Sequence, residues 1–272
     1  MKTLIANGAD VNAVSDSGST PIRSTCYIVR PGNPVENGTS AHYDIVKVLV
    51  RAGADIGRAN HFGGTCLINS VQSPELVDFL LKNGKGFDIN AADIQHKTAL
   101  HYAVQENRLE STKLLLKGGA DPLRLSKYGD DALQTACLKG SLMIFNHLLE
   151  TVVYDPQTIS SAFELMGSTF LLDLHDVGST MFFWRKAMEM RHEGSVEYPK
   201  QVSNELHPVL GVKEVNTLEE FEEMAGTGDS AALKKQALLM SERILGAAHK
   251  DTIFRYNPCT ITRNKQLVLS GL

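Results

Sequence analysis

The sequence predicts an all-α solenoid built from repeated helical hairpins, and the spacing of its aspartates is the first reason. Asp55, Asp88 and Asp121 follow one another at intervals of 33 residues. Each of them, like Asp10, lies ten residues before a residue suited to begin a helix. A fixed period of this length, with two helices in each interval, indicates a stack of repeats in which neighbours share one continuous core.

The parts of each interval can be assigned in chain order. The tripeptide Gly-Ala-Asp at 8–10, 53–55 and 119–121 ends a helix and begins a turn, because glycine tolerates a left-handed backbone and aspartate accepts nearby amide bonds. A residue with a side-chain oxygen then caps each first helix. The four caps are Thr20, Thr65, Thr98 and Asp131. An apolar pair ends each second helix, at Leu49-Val50, Leu80-Leu81, Leu115-Leu116 and Leu148-Leu149. These features predict ankyrin repeats over residues 1–154, a partial first repeat followed by four.

The first complete repeat has an insertion of about twelve residues between its two helices, within residues 28–41. The stretch is rich in Pro, Gly and Asn, which favour turns. An insertion at this point of a repeat maps to a loop on one face, often a binding face. The interpretations that stay open are a loop that contributes to binding, a tolerated disordered insertion, and an error in the gene model.

Composition restricts the classes of function. The chain has 272 residues, enough for two domains, and its formal net charge of -4 is too small to indicate nucleic acid or an acidic membrane as partner. No apolar run approaches the length of a membrane helix, and the start of the chain lacks a signal-peptide pattern. The four cysteines are widely scattered, which favours reduced thiols in a cytoplasmic or nuclear protein over a disulfide framework.

After residue 154 the aspartate spacing disappears and the helical pattern changes. An irregular loop is predicted at 193–215, and helices are predicted at 159–174, 180–191, 217–224 and 231–245. The seam formed by Trp184 and Ala187 favours a tetratricopeptide-like helical region over residues 155–256. The short polar stretch at 257–272 is predicted to be a tail.

Several segments carry a resemblance that is more specific than the ankyrin period. They are Ser-Thr-Pro-Ile-Arg-Ser-Thr-Cys-Tyr at 19–27, His-Tyr-Asp-Ile-Val-Lys at 42–47, and the helical segments 162–170, 183–191, 236–246 and 249–252. Together they resemble the Fem (feminization) family of ankyrin proteins over about residues 1–256. The segments after residue 160 make the match specific, since the ankyrin motifs are shared by any ankyrin protein.

The resemblance implies a function. Fem-family proteins are substrate receptors of cullin-2-type RING ubiquitin ligases, and their ankyrin domain reads short C-terminal degrons that often end in Arg. A tetratricopeptide-like region follows, and then a C-terminal box of the von Hippel–Lindau type that binds elongin and the cullin. Because partner subunits transfer the ubiquitin, the resemblance implies a non-catalytic adaptor, for which we expect no cofactor and no metal site.

The sequence departs from the family pattern in three places. It begins within the second helix of a repeat, and it ends before the elongin- and cullin-binding box, so the chain is expected to be truncated at both ends. In addition, Ile28 stands where many relatives place an acidic residue. Because an Arg-ended degron needs carboxylate partners, each lost bond is expected to weaken the selectivity for Arg by roughly 1.5–3 kcal/mol.

The candidate peptide-binding residues come from ankyrin geometry and from the matching family positions, on the turn tips and first helices. They are Ser19, Arg23, Tyr27, His61, Phe62, Cys66, Asn69, Gln95, His101 and Tyr102. Ser19 would offer a hydroxyl, Arg23 would pair with a peptide carboxylate, and Tyr27 would stack on the peptide. Structural alternatives are a turn cap for Ser19, a bridge between repeats for Arg23, and hydrogen bonding within or between repeats for His101.

Patterns of catalytic chemistry are weak in this sequence, which disfavours an enzyme. His96 and His101 lack a cysteine or carboxylate at ligand spacing, and Gly226-Thr227-Gly228 lacks the lysine of a phosphate loop. Two interpretations remain: a Fem-like receptor of C-terminal degrons, or a generic ankyrin scaffold that binds an internal segment of a partner protein. They differ in whether binding requires a free peptide C-terminus.

Overall fold

The computed structural model of the chain describes residues 1–28, 41–84, 86–192 and 205–257, which form helices and turns and confirm the predicted all-α repeat fold. The helices are α1 (Lys2–Ala6), α2 (Pro21–Ile28), α3 (Ala41–Arg51), α4 (Cys66–Ser70), α5 (Pro74–Asn83), α6 (Ala99–Gln105), α7 (Leu109–Lys117), α8 (Ala132–Leu138), α9 (Leu142–Thr151), α10 (Pro156–Leu172), α11 (Val177–His192), α12 (Leu218–Gly226) and α13 (Ser230–Leu245). Residues 250–257 are also helical. Within the predicted insertion, residues 29–40 lie outside the described ranges, as does the predicted tail beyond residue 257.

The chain divides into two compact units, Met1–Lys127 (unit 1) and Tyr128–Leu272 (unit 2). Unit 1 contains α1 to α7, and unit 2 contains α8 to α13. The last predicted ankyrin hairpin, α8 and α9, therefore belongs to unit 2, where α8 packs against α10. The domain boundary predicted at residue 154 lies between α9 and α10 and stays a prediction.

The first helices of the repeats begin with the predicted side-chain caps. In unit 1, the hydroxyls of Thr65 and Thr98 accept bonds from backbone amides three residues further on, at 3.2 Å and 3.5 Å. Thr98 completes a capping box with His101, and in unit 2 Asp131 forms one with Gln134. These local bonds satisfy amides that a helix start leaves without a partner.

Consecutive repeats of unit 1 are joined at their turn tips by backbone hydrogen bonds. The bonds run from His61 N to Ser17 O (3.0 Å), from Ile94 N to Phe62 O (3.1 Å), and from Lys127 N to Gln95 O (2.8 Å). The side chain of Asn12 adds a bond to the next repeat, since its Oδ1 accepts from Asp55 N at 2.8 Å. These bonds hold the turns of neighbouring repeats in a fixed register. Among the first helices, α4 packs against both α2 and α6.

Unit 2 is built around α10, which packs against α8, α11 and α13. One cluster of its core contains Trp184 on α11, whose ring meets that of Phe221 edge to face, with centroids 4.9 Å apart. Leu171, Met188 and Met240 pack in the same cluster. Side chains of α10, α11, α12 and α13 thus form one apolar cluster in unit 2.

Two helices of unit 2 begin three residues earlier than the sequence prediction. α10 starts at Pro156 because Asp155 caps it, with Oδ1 accepting from Thr158 N at 2.9 Å. α11 starts at Val177 because Asp176 Oδ1 accepts from Ser179 N at 3.0 Å. In both cases an aspartate cap extends the helix ahead of its apolar stripe, which is the part of the helix that periodicity detects.

Candidate functional site

Unit 1 contains a groove-like cavity of about 630 Å³ along its first helices. Its wall combines aromatic, amide and charged side chains from α2, α4, α6 and the turns beside them. The lining residues are Arg23, Tyr27, Phe62, Gly64, Ile68, Asn69, Val71, Gln72, Asp93, Tyr102, Glu106 and Arg108. The volume falls within the range of protein ligand pockets, and the mixture of aromatic and charged groups suits a peptide.

The Arg23 guanidinium is held in place by partners from two repeats. Its Nε donates to the carbonyl oxygen of Gly64 at 2.8 Å, and its Nη1 donates to Ser19 Oγ at 2.8 Å. Burial lowers the pKa of the Arg23 guanidinium below its ordinary value. An anion bound beside Arg23 would offset this cost of removing a cation from water.

Arg23 is therefore both a bridge between repeats and part of the cavity wall. Asn69 supports the same place, since its Nδ2 donates to the Arg23 carbonyl oxygen at 3.3 Å. Tyr27 and Phe62 line the rim with rings that are 62% and 58% exposed. Exposed rings of this kind offer apolar area at a low cost in side-chain entropy when a peptide covers them.

At the other side of the cavity, Tyr102 and Asp93 form a fixed pair. The Tyr102 hydroxyl donates to Asp93 Oδ2 at 2.6 Å, and Asp93 Oδ1 accepts from the amides of Gln95 and Lys97 at 2.9 Å each. Burial and this bond to Asp93 raise the pKa of Tyr102. The Asp93 carboxylate is thus occupied by three donors from its own repeat.

Arg108 is a lining residue that the sequence analysis did not select. It stands in the turn between α6 and α7, and its buried Nε has no hydrogen-bond partner among the described residues. Nearby, Glu106 Oε2 accepts from Gln72 Nε2 at 3.4 Å. The repeat period could not identify Arg108 and Glu106 as cavity residues. Both follow the first helix of their repeat, at positions where the sequences of the repeats differ. A sequence signal beside them is Asn107, a residue type that favours turns and that adopts a positive φ of 53° here.

Of the ten predicted residues, Arg23, Tyr27, Phe62, Asn69 and Tyr102 line the cavity, and Ser19 reaches it through Arg23. The remaining four have other surroundings. Cys66 is 1% exposed and its thiol contacts that of Cys26, while His101 is 2% exposed and serves the Thr98 cap. The His61 ring covers the backbone at Gly18, and Gln95 joins two turns through its carbonyl oxygen.

No three His, Cys, Asp or Glu side chains in the described ranges are grouped so that they could hold a metal ion. Nor does any helix there have both the length and the apolar character needed to cross a bilayer.

Comparison with known proteins agrees with this architecture. A family profile described as "Ankyrin repeats (3 copies)" matches residues 35–126. "Protein fem-1 homolog A-like" of Mus musculus is 30% identical over 243 residues, which cover 74% of this chain and 36% of the relative. "Protein fem-1 homolog A" of Rattus norvegicus is 29% identical over 295 residues, which cover 93% of this chain and 42% of the relative.

The fold and the cavity define an ankyrin-repeat protein with a protein-interaction role. The chain belongs to the Fem family of ankyrin-repeat proteins, because several fem-1 homologues match most of its length, as does "Protein fem-1 homolog A" of Bos taurus at 30% identity. The chain spans well under half of the length of these curated relatives.

Proposed function

We propose that unit 1 recognises the C-terminal segment of partner proteins. In this proposal the protein is the non-catalytic substrate-recognition subunit, reading C-terminal degrons, of a cullin-RING ubiquitin ligase that acts in the cytoplasm and nucleus. Elongin and cullin-2 would be its partners in the full-length protein. Membership of the Fem family supports the class of partner, and the cavity in unit 1 supports the kind of ligand.

One observation carries the peptide part of the proposal: the arrangement of Arg23. Two of its donors are fixed by Gly64 and Ser19, and it forms no ion pair with any carboxylate in the described ranges. The cation is thus positioned at the cavity wall with its charge not neutralised. A carboxylate that binds a fixed guanidinium forms charge-assisted bonds without the entropic cost of ordering the side chain. A free peptide C-terminus is such a carboxylate.

The rim supports a peptide rather than a small anion. Tyr27 and Phe62 expose rings from neighbouring repeats, and Asn69 offers an amide between them. An extended peptide would cover these rings with side chains and direct its backbone to the amide. The same rim suits an internal segment of a partner, which is the second candidate function. The two candidates differ in whether the terminal carboxylate contributes to affinity.

Fluorescence polarisation with peptide pairs that differ only in a free or amidated C-terminus tests the proposal. We expect the free form to bind at least about tenfold more tightly, the factor that one charge-assisted bond supplies. Arg23→Gln should remove this difference. Arg51→Gln is the matched control, because Arg51 is exposed at the end of α3 and does not line the cavity.

Equal binding of the free and amidated forms would overturn the proposal and favour the scaffold. The ligase part has its own test. Affinity purification of the protein at its natural length should recover elongin and cullin-2 subunits, identified by mass spectrometry. A purification that recovers the peptide-bearing partner but neither ligase subunit would contradict that part alone.

A further inference from the structure

The cavity of unit 1 contains a second arginine that the proposed function does not use. Arg108 lines the cavity two repeats away from Arg23, at the far end of the row formed by α2, α4 and α6. Its Nε is buried and has no hydrogen-bond partner, and no ion pair joins it to a carboxylate in the parts of the chain that the structure describes. A buried donor of a charged group that lacks a partner is costly, and a ligand acceptor would remove the cost.

The carboxylates of the cavity do not neutralise Arg108. Asp93 accepts from the Tyr102 hydroxyl and from two backbone amides. Glu106 accepts from the amide of Gln72. Neutral donors orient both carboxylates but leave their negative charge in place, and no ion pair joins either of them to Arg23 or Arg108 among the described residues. Each of the two guanidiniums can therefore receive one negative group of a ligand.

The distance between the two arginines sets the spacing of those groups. α4 packs against both α2 and α6, so the cavity crosses three neighbouring helices. Packed helix axes are roughly 8–10 Å apart, which makes the span from the first to the third about 16–20 Å. An extended peptide advances about 3.3 Å for each residue, and it covers this span with about five or six residues.

We infer that this cavity selects peptides that carry an acidic side chain about five residues before a free C-terminal carboxylate. Arg23 receives the terminal carboxylate, and Arg108 receives the acidic side chain. This inference rests on the proposed function and specifies its ligand.

Free-carboxyl peptides of seven residues, with Glu, Gln or Lys placed in turn at the fourth, fifth or sixth position before the last residue, test the inference. At the best position we expect Glu to bind at least about tenfold more tightly than Gln, and Lys more weakly than Gln. Raising the salt concentration should reduce the difference. Arg108→Gln should abolish the preference for Glu, and Arg108→Glu should convert it into a preference for Lys.

Two further variants make the result specific. Arg108→Lys keeps the charge and should retain most of the preference for Glu, and Arg51→Gln should retain all of it. A melting curve for each variant shows whether unit 1 is folded, and Arg108→Lys provides the comparison if Arg108→Gln is not. Binding that needs the free carboxylate but does not distinguish Glu from Gln at any position would overturn this inference alone. Binding that ignores amidation would overturn the proposed function as well.

Discussion

Arg243 and Glu164 lie far apart in the sequence of unit 2, and Arg243 Nη2 donates to Glu164 Oε2 at 2.5 Å. Arg191 Nη1 reaches the other oxygen of the same carboxylate at 2.7 Å. Arg243 also pairs with Glu214 at 3.0 Å. The Glu164 side chain is 1% exposed, so α10, α11 and α13 are joined by a buried network of alternating charges.

Glu164→Gln is expected to destabilise unit 2 by about 3 kcal/mol, because it leaves two buried guanidiniums facing a neutral group. Urea unfolding followed by far-UV circular dichroism measures the change. Glu222→Gln is the control: it breaks the pair with Arg185, whose side chains are 45% and 49% exposed, and should cost less than about 1 kcal/mol. Equal losses for both variants would contradict a role for the buried network.

Asp131→Thr should increase stability at pH 7. Burial raises the pKa of Asp131, so the folded state binds its proton more tightly than the unfolded state, and this residue's contribution to stability falls as the pH rises above about 4. Threonine keeps the cap without the charge. The advantage of the variant should shrink between pH 7 and pH 4, as measured by urea unfolding at both values.

Asp155→Thr is expected to change stability in the opposite direction. Hydrogen bonds from Thr158 lower the pKa of Asp155, so its contribution to stability is present above the unfolded pKa and lost as the pH falls through the folded one. The variant should be less stable than the natural chain at neutral pH, and the gap should close in acid. A pH-independent difference for either aspartate would contradict this account of the caps.

Gly63→Ala should destabilise unit 1 more than Gly53→Ala does. Both glycines have positive φ angles, 75° and 86°, and an alanine at either is strained by roughly 1–2 kcal/mol. At Gly63 a Cβ atom would also lie 2.6 Å from the Cα of Asp93, which is backbone and cannot move aside, whereas Gly53 has nothing within 4 Å. Urea unfolding of both variants would measure how much free energy of unfolding each one loses. Equal losses would show that the turn at Asp93 moves to make room for the Cβ atom.

The buried thiols of Cys26, Cys66 and Cys137 should react slowly with thiol reagents until the protein unfolds. The hydrogen bond to the Cys66 thiol is the larger cause that raises the pKa of the Cys26 thiol, and burial is the second. Burial raises the pKa of the Cys137 thiol. In a Cys259→Ser background, we expect Ellman's reagent at pH 8 to modify the remaining thiols at least about 100-fold more slowly than in urea. Fast modification of all three in the folded protein would contradict this burial.

The repeat architecture could be predicted because its signals are local. Thr98 and Asp131 cap their helices through groups three residues away, and the 33-residue period follows from the sequence alone. The binding cavity could be predicted only in part. Arg23 stands at a regular repeat position, but Arg108 and Asp93 join the wall through turns and through the stacking of repeats, which no periodic pattern records.

Trp184 has a consequence for spectroscopy. It is the single tryptophan of the chain, it is fully buried in unit 2, and its indole Nε1 donates to the Glu164 carbonyl oxygen at 2.9 Å. Tryptophan emission therefore reports the unfolding of unit 2, whereas circular dichroism reports the helices of both units. If the two denaturation curves coincide, the whole chain unfolds cooperatively. If they separate, the gap between their midpoints measures how independently the peptide-binding unit is stabilised.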